Sequence, residues 1–257
     1  MFNSKDFNIE DLLLIGKGTS ANVYALDEKN VLKLYSAKCP ENFVEYEVKV
    51  AQLAYALEIP TPLTIKKKVG KRTGIISDRI YGLTMEQTMR KSPWKLVEMA
   101  KLLAVLQAQI HSHAVPGLIC FDKAKRKQIE LSTCLSKKKK EILFNILDNL
   151  PKGNVFCHGD IHPNNIIITS NGAQVIDWSC AVSANPYIDI FKTVMKLPKY
   201  NEKPIKIFSL TKFFEHIYIK LFIRIYLSHY VRLTNSNMSE IKHWLTLKDL
   251  KTLFLLQ

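Results

Sequence analysis

Glycine is scarce in this chain, at 9 of 257 residues, and that scarcity excludes a collagen-like repeat. Cysteine is limited to five residues without a Cys-x-x-Cys pair, which argues against a zinc site and against a disulfide framework. The sequence contains no internal repeat and no low-complexity linker. Apolar residues are abundant: 47% of the chain is hydrophobic and 10% aromatic, which is enough to form a large core and excludes a disordered chain.

The chain also lacks a long uninterrupted hydrophobic run. Its longest apolar stretch, residues 213–231, is interrupted by charged residues and histidines, so it predicts a core helix rather than a membrane span. The first ten residues contain Lys5, Asp6 and Glu10 and no apolar segment of the kind that a secretory signal requires. We therefore expect a cytoplasmic protein without a membrane partner.

Acidic residues are outnumbered by basic ones: the chain has 23 Asp and Glu and 37 Lys and Arg, which gives a net charge of +14. Such a balance favours anionic partners, including nucleotides and nucleic acids. A phosphate-binding patch could form from Lys123, Lys125, Arg126, Lys127 and residues 137–140. No interleaved aromatics or nucleic-acid motif accompany these lysines, so they are better explained as solvated helix faces. No specific nucleic-acid partner is expected.

The N-terminal third alternates short apolar runs with turns, which is typical of strands. The predicted strands cover residues 12–15, 23–26, 31–35, 63–67 and 74–80. One helix interrupts them, because apolar residues recur at helical spacing over 41–57 before two prolines. Further helices are predicted over 94–110, with Ser92 as N-cap and Pro93 at the first helical position, and over 142–147, 213–230 and 240–255.

This order of elements predicts an α+β fold with two lobes. Residues 1–81 would form a small lobe with an antiparallel sheet and one helix. Residues 82–257 would form a larger, mainly helical lobe.

The densest motif lies in residues 158–166, His-Gly-Asp-Ile-His-Pro-Asn-Asn-Ile, followed by Val-Ile-Asp-Trp at 175–178. Between them, Asn171-Gly172 is a strong hairpin signal. If these two residues fill the turn, Ile166 lies opposite Asp177, and Asn165 is one step from Asp177 across the hairpin. Paired and diagonal Cβ atoms are about 5 and 7–8 Å apart, so Asn165 and Asp177 could share one metal ion. Their hard oxygen atoms suit Mg²⁺.

Asp160 precedes Asn165 by five residues, which matches the Asp-x4-Asn catalytic loop of kinases. At this point the sequence resembles the aminoglycoside phosphotransferase and choline kinase superfamily, small-molecule kinases with a protein-kinase-like fold. Residues 158–160 match its His-Gly-Asp loop, and Ile-Asp-Trp at 176–178 replaces Asp-Phe-Gly. The resemblance implies that Asp160 is the catalytic base and that Asn165 and Asp177 are metal ligands.

A nucleotide loop is indicated by residues 16–23, Gly-Lys-Gly-Thr-Ser-Ala-Asn-Val, which fit the kinase pattern except that Ala21 replaces the third glycine. Gly16 and Gly18 would let the backbone approach ATP phosphates closely. With an alanine at 21, the loop would depend more on Thr19 and Ser20 for phosphate contacts. Val23 would pack on the base.

Lys33 lies on the predicted strand 31–35. Glu47 lies on the apolar stripe of the predicted helix 41–57, which should be buried, four residues after Phe43 on the same stripe. A carboxylate on a buried face is unfavourable unless it is paired, and Lys33 is the candidate partner. Such a pair orients ATP phosphates in kinases. The alternative is a partly exposed Glu47 at the edge of the helix, with Lys33 as a solvated strand residue.

The resemblance extends to further positions. It places the interlobe hinge, whose backbone binds adenine, near residues 78–82, with Asp78 and Ile80 as nucleotide contacts. Asn-Pro-Tyr-Ile-Asp at 185–189 resembles an element whose aspartate braces the catalytic loop, so Asp189 is interpreted as structural. His158 is expected to bond to backbone, whereas His162 could support the loop or contact substrate.

These features together predict an ATP- and Mg²⁺-dependent phosphotransferase with a small-molecule alcohol as acceptor. A protein Ser/Thr kinase and a catalytically silent pseudokinase are the alternatives. Polycationic aminoglycosides favour an acidic cleft, but few acidic residues follow Trp178, namely Asp189, Glu202, Glu215, Glu240 and Asp249. Choline is also disfavoured, but less so, because it would need an aromatic cage. Helical spacing makes most of the candidate rings better explained as core residues; they are Trp178, Tyr187, Phe213, Phe214 and Tyr218. A neutral or anionic hydroxyl compound is therefore preferred.

Overall fold

The computed structural model describes residues 8–197, 210–246 and 253. Two compact units are present among these residues. One is drawn from the residues up to Met85 together with Asn164–Cys180, and the other from Glu86–Pro163 together with the residues from Ala181 onward. The segment from Asn164 joins the first unit because its strands pair there. The predicted lobe boundary between residues 81 and 82 stays a prediction.

The first unit contains a five-stranded antiparallel sheet in the order β1-β2-β3-β5-β4. Its strands are β1 Leu13–Lys17, β2 Ala21–Ala25, β3 Asn30–Tyr35, β4 Thr64–Val69 and β5 Arg72–Asp78. A second sheet contains β6 Leu83–Thr84, β8 Ile166–Thr169 and β9 Gly172–Val175, with β8 in the centre. All five strands predicted in the N-terminal third are present.

Helix α1, Glu41–Ala56, packs against this sheet and confirms the predicted helix. Its buried stripe runs through Val44, Glu47, Val48 and Ala51 rather than through Phe43, which is 39% exposed. Phe43 was wrongly predicted as buried because its ring lies at the rim, edge-on to the ring of Tyr35 at 6.0 Å. Glu47 remains on the buried face.

The second unit is mainly helical. Its helices are α3 Leu96–His111, α4 Phe121–Leu131, α5 Lys137–Asn149, α6 Pro186–Lys196, α7 Leu210–Thr234 and α8 Met238–Thr246, and α2 Met85–Lys91 begins at the unit boundary. Short strands β7 Val155–Cys157 and β10 Val182–Ala184 pair antiparallel. Helix α7 packs along α3, and a core cluster forms from Phe121, Ile129, Leu143, Leu147, Phe191 and neighbouring residues. The α+β class is confirmed.

Three details differ from the sequence prediction. The Ser92 side chain makes no capping hydrogen bond, and Pro93–Lys95 forms a 3-10 turn before α3 begins at Leu96. Helices α2, α4 and α6 were not predicted, since α2 and α4 are polar on most of their surface and α6 was treated only as a motif. Part of the predicted helix over 240–255 lies outside the described residues. No helix in the described part of the chain is long and apolar enough to cross a bilayer.

Candidate active site

The predicted nucleotide loop is the turn between β1 and β2. The Gly18 amide donates to the Ala21 carbonyl at 2.9 Å, and a Cβ on Gly18 would lie 2.9 Å from that same oxygen. Glycine at this position therefore permits the tight turn. Ala21 replaces the expected third glycine without difficulty because it begins β2 and pairs with Tyr35.

The other predicted nucleotide residues lie in this turn or on the strands beside it. Thr19 and Ser20 are exposed within it, and the Ser20 carbonyl accepts from the Ser36 amide at 3.1 Å. Val23 is half-buried on β2, where it pairs with Gly16 on one side and with Lys33 on the other. The turn and the lysine therefore belong to one continuous sheet.

The predicted ion pair between Lys33 and Glu47 is present. Lys33 Nζ lies 2.7 Å from Glu47 Oε1, and Glu47 is only 5% exposed, which excludes the alternative of a solvated carboxylate. The same ammonium lies 2.9 Å from Asp177 Oδ1. Burial alone would lower the pKa of Lys33, but the charges of Glu47 and Asp177 outweigh burial and raise it. Lys33 is therefore a fixed cation between two carboxylates.

Tyr35 completes this cluster on the same face of β3. Its hydroxyl donates to Glu47 Oε2, so the two carboxylate oxygens have separate partners. The Lys33 ammonium also lies 5.3 Å from the centre of the Tyr35 ring. Sequence analysis missed Tyr35, although its position two residues after Lys33 on a strand places both side chains on one face.

The hairpin that carries Asn165 and Asp177 has a different register from the predicted one. Ser170 and Asn171 fill the turn, so Ile166 pairs with Val175 and not with Asp177. Neither turn residue has the positive φ that an Asn-Gly type I′ turn requires, and Gly172, at φ 125°, instead begins β9. The Thr169 hydroxyl accepts from the Asn171 amide at 3.1 Å and stabilises this shifted two-residue turn.

Asn165 nevertheless remains one step from Asp177. The Ile176 amide donates to the Asn165 carbonyl at 3.0 Å, so Asn165 lies opposite the residue that precedes Asp177. Asn165 is nearly buried, and the side chain of Asp177 is 39% exposed. Asn165 and Asp177 thus occupy neighbouring positions at the open end of one hairpin. Carboxamide and carboxylate oxygens are the kind of ligand that a hard divalent cation such as Mg²⁺ accepts.

Asp177 adopts a left-handed backbone conformation at φ 68°. Non-glycine residues with such a φ are uncommon, and they concentrate at functional sites. The Ser179 hydroxyl donates to Asp177 Oδ1 at 3.0 Å, on the oxygen that also contacts Lys33. Both contacts hold the carboxylate in a defined orientation.

The first part of the catalytic-loop motif, residues 158–163, belongs to the second unit, where Asp189 braces it as predicted. The fully buried Asp189 carboxylate accepts from the His158 amide at 3.1 Å and from the Gly159 amide at 2.7 Å. His111 Nε2 lies 3.1 Å from the same carboxylate, and Tyr230 contacts the other nitrogen of His111 at 2.7 Å. Gly159 has a φ of 77°, which a glycine adopts without strain.

The predicted backbone role of His158 is also confirmed, because its Nδ1 accepts from the Asp160 amide at 3.2 Å. Asp160 itself lies between two basic side chains. Lys196 Nζ is 2.9 Å from Oδ1, and His162 Nε2 is 3.7 Å from Oδ2. Burial would raise the pKa of Asp160, but the contacts with His162 and Lys196 outweigh burial and lower it to about 2. Asp160 is ionised at neutral pH.

Asp78 is the last residue of β5, and Ile80 is half-buried in the link to β6. The Asp78 carboxylate accepts from the Leu63 amide at 3.3 Å, and the Arg79 amide donates to the Lys29 carbonyl at 2.7 Å. These contacts tie the link to the sheet. The nucleotide role of Asp78 and Ile80 stays a prediction.

The first unit thus brings together Lys33, Glu47 and Asp177, and the Asn165 backbone bonds to Ile176, the neighbour of Asp177. The second unit brings Asp160 together with His162. Sequence analysis missed Tyr35, Ser179 and Lys196. Lys196 could have been found from its spacing, because it follows Asp189 by seven residues, or two turns, on α6.

This chain matches a protein-family model and resembles several solved structures. A family model described as the phosphotransferase enzyme family matches residues 11–203. No curated protein sequence matches significantly. Among solved structures, an aminoglycoside-3'-phosphotransferase of type VIII has 14% identity and a TM-score of 0.63, covering 90% of this chain and 89% of its own.

Two further solved structures have similar scores. Amicoumacin kinase hAmiN in complex with AMP-PNP, Ca²⁺ and Ami has 12% identity and a TM-score of 0.62, covering 93% of this chain and 80% of its own. Macrolide 2'-phosphotransferase MphH from Brachybacterium faecium has 15% identity and a TM-score of 0.57, covering 95% and 84%. At such identities these likenesses show the protein-kinase-like fold.

Proposed function

The chain belongs to the phosphotransferase enzyme family, and from that premise we propose that it transfers the γ-phosphoryl group of ATP to a hydroxyl group of a small molecule, with Mg²⁺ as cofactor. The observation that carries this proposal is the Lys33 ammonium held between Glu47 and Asp177. A fixed cation beside a metal-binding carboxylate is what a kinase nucleotide site needs, because such sites act by positioning and charge neutralisation.

On the nucleotide side, each predicted residue has a defined task. Lys33 would contact the α- and β-phosphates, and Glu47 holds Lys33 in place. Gly16 and the turn with Gly18, Thr19 and Ser20 would cover the phosphates with backbone and hydroxyl donors. Val23 and the link that contains Asp78 and Ile80 would hold the base.

Asn165 and Asp177 are the residues that would hold Mg²⁺, which supplies neutralising charge at the phosphate oxygens when bound. Asp160 orients the acceptor hydroxyl. The acceptor oxygen forms a bond to the γ-phosphorus while the bond from that phosphorus to the bridging oxygen breaks, so ADP leaves with the bridging oxygen. The hydroxyl proton passes to Asp160, which accepts it late because a carboxylate of such low pKa is a weak base.

The alternatives have less support. A protein kinase carries an activation segment after its metal-binding aspartate, whereas only residues 178–185 separate Asp177 from α6. A pseudokinase is disfavoured because Lys33, Glu47, Asp160, Asn165 and Asp177 fill all the expected catalytic positions. The solved neighbours are named for different acceptors, so the fold is compatible with several acceptor chemistries.

Replacement of the proposed base tests the function. We expect Asp160→Asn to lower acceptor-dependent ADP release by about 10²-fold or more, because the hydroxyl loses its proton acceptor, while Mg²⁺-ATP binding is retained. A coupled ADP-release assay on aminoglycosides, choline analogues, sugars and hydroxy acids measures turnover, and calorimetry measures ATP binding.

Asp148→Asn is the matched control, since Asp148 is an exposed carboxylate in the same unit whose partner is Arg126. Its turnover should equal that of the wild type. Full activity of Asp160→Asn would remove Asp160 from the mechanism, and ATP binding without any acceptor-dependent turnover would support the pseudokinase.

A further inference from the structure

The proposed base does not stand alone, because Lys196 lies directly against it. Lys196 Nζ is 2.9 Å from Asp160 Oδ1 and 3.2 Å from Oδ2, so the ammonium spans both carboxylate oxygens. The Asp160 side chain is 18% exposed, whereas that of Lys196 is 47% exposed. The pair is therefore accessible from the lysine side. Any molecule that brings a hydroxyl to Asp160 also meets this cation.

Helix α6 fixes the position of Lys196. Asp189, near the start of this helix, accepts from the backbone amides of His158 and Gly159, and Lys196 is its last residue. One helix thus holds both the backbone of the catalytic loop and the ammonium beside its carboxylate. This distinguishes the pair from an ordinary surface salt bridge between two long mobile side chains.

The second basic side chain near Asp160 is His162, whose Nε2 lies 3.7 Å from Oδ2. The proposed base is thus bordered by basic groups on two sides. The chain beyond Trp178 contains few carboxylates that could receive a polycation, and Asp189 is already engaged in bracing the loop. A cationic acceptor would meet repulsion at this point, whereas an anionic group would be attracted.

An ammonium has three N–H donors in a tetrahedral arrangement, and the Asp160 carboxylate occupies only one side of it. The half-exposed face of Lys196 can donate to a second anion. A carboxylate or phosphate a few bonds from the reacting hydroxyl would reach this face while the hydroxyl contacts Asp160. The resulting two-point contact would orient the hydroxyl towards the phosphoryl donor.

We propose that Lys196 determines acceptor specificity, and that the acceptor is an anionic alcohol, a hydroxy compound that carries a carboxylate or phosphate group near the reacting hydroxyl. This inference rests on the proposed phosphotransferase function and narrows its acceptor to one chemical class. Lys196 is assigned here as a substrate contact, and Asp160 keeps its role as proton acceptor.

The test uses acceptors that share a scaffold and differ in charge. The hexose set is glucuronate, glucose 6-phosphate, glucose and glucosamine; the three-carbon set is glycerate, glycerol 3-phosphate, glycerol and 3-amino-1,2-propanediol. ADP release is measured for each compound with the full chain and Mg²⁺-ATP. For the wild type we expect kcat/KM to follow the order anionic, neutral, cationic, and the carboxylate and phosphate members show which anion is preferred.

Three variants separate charge recognition from a structural role. Lys196→Met should lower kcat/KM for the preferred anionic acceptor by about tenfold or more, mainly through KM, and leave the neutral acceptor nearly unchanged. Lys196→Arg should restore most of the loss because it keeps the charge. Lys101→Met, at an exposed lysine of α3, is the control and should match the wild type.

The outcomes separate the two levels of the proposal. An uncharged or cationic compound as the best acceptor, or an equal effect of Lys196→Met on acceptors of every charge, would overturn the specificity inference and leave the phosphotransferase function standing. No ADP release above the water background with any compound, aminoglycosides and choline included, would contradict both.

Discussion

At the scale of single residues, one phenolic hydroxyl controls how Glu47 holds Lys33. The buried carboxylate has two oxygens, and Tyr35 binds one while Lys33 binds the other. Without the tyrosine hydroxyl, the second oxygen would be left in a nearly inaccessible position, since Tyr35 is 1% and Glu47 5% exposed. An unsatisfied buried acceptor is destabilising, and it would let the carboxylate rotate away from Lys33.

Tyr35→Phe is therefore expected to destabilise the protein by about 1–3 kcal/mol and to weaken Mg²⁺-ATP binding. Denaturant unfolding measures the first effect, and calorimetry measures the second. Tyr55→Phe is the matched control because Tyr55, also in the first unit, is 51% exposed, and it should change neither quantity. Equal results for the two variants would show that the Tyr35 hydroxyl does not support the Lys33 pair.

At the scale of elements, strand β6 connects two parts of the first unit. It follows the link after β5, and it pairs with the β8–β9 hairpin that carries Asn165. Leu83 pairs with Ile168 and Thr84 with Ile167, so the strand adds one edge to the β8–β9 hairpin. Gly82 immediately precedes this strand. A Cβ at Gly82 would lie 2.1 Å from the Ile168 carbonyl oxygen, which is a backbone atom and cannot rotate away. Glycine at this position allows the two strands to approach.

Gly82→Ala should therefore separate β6 from β8 and cost about 1–3 kcal/mol of unfolding free energy. Because β8 follows Asn165 directly, hydrogen exchange of the β8 amides should also accelerate. Gly117→Ala introduces the same methyl group where no heavy atom lies within 4 Å, and it should leave both measurements close to the wild type. A Gly82→Ala variant as stable as Gly117→Ala would mean that the strands accommodate the methyl group.

At the scale of the whole molecule, the proposed site draws on segments far apart in the chain. Lys33 and Glu47 come from the N-terminal third, whereas Asn165 and Asp177 come from a hairpin more than a hundred residues later. These segments pack in one unit, so a ligand held by all of them should stabilise that unit against unfolding. The stabilisation should need both the nucleotide and the divalent cation.

Mg²⁺-ATP at about 100 times its Kd should raise the unfolding free energy by about 2.7 kcal/mol, as ligand linkage requires. Thermal unfolding with ATP, with and without chelator, measures this shift. Asp177→Asn should abolish most of the Mg²⁺-dependent part, and asparagine is chosen because it tolerates the left-handed backbone at 177. Asp148→Asn should keep the full shift, and a chelator-insensitive shift in the wild type would argue against a metal site.

Much of the fold could be predicted because its signals are local. Short apolar runs separated by turns predicted all five strands of the N-terminal sheet, and helical periodicity predicted α1 within one residue. The ion pair of Lys33 with Glu47 was predicted because a buried carboxylate requires a partner. The exposure of Phe43 could not be predicted, since it depends on where the helix meets the edge of the sheet.

The amino-acid sequence by itself determined the chemical groups of this protein and the order of its elements, because motif spacing and hydrophobic periodicity act over a few residues. Tertiary structure alone decided the partner of Tyr35 and the contact of Lys196 with Asp160. These contacts join residues from different elements of the chain, and only packing brings such residues within hydrogen-bond distance.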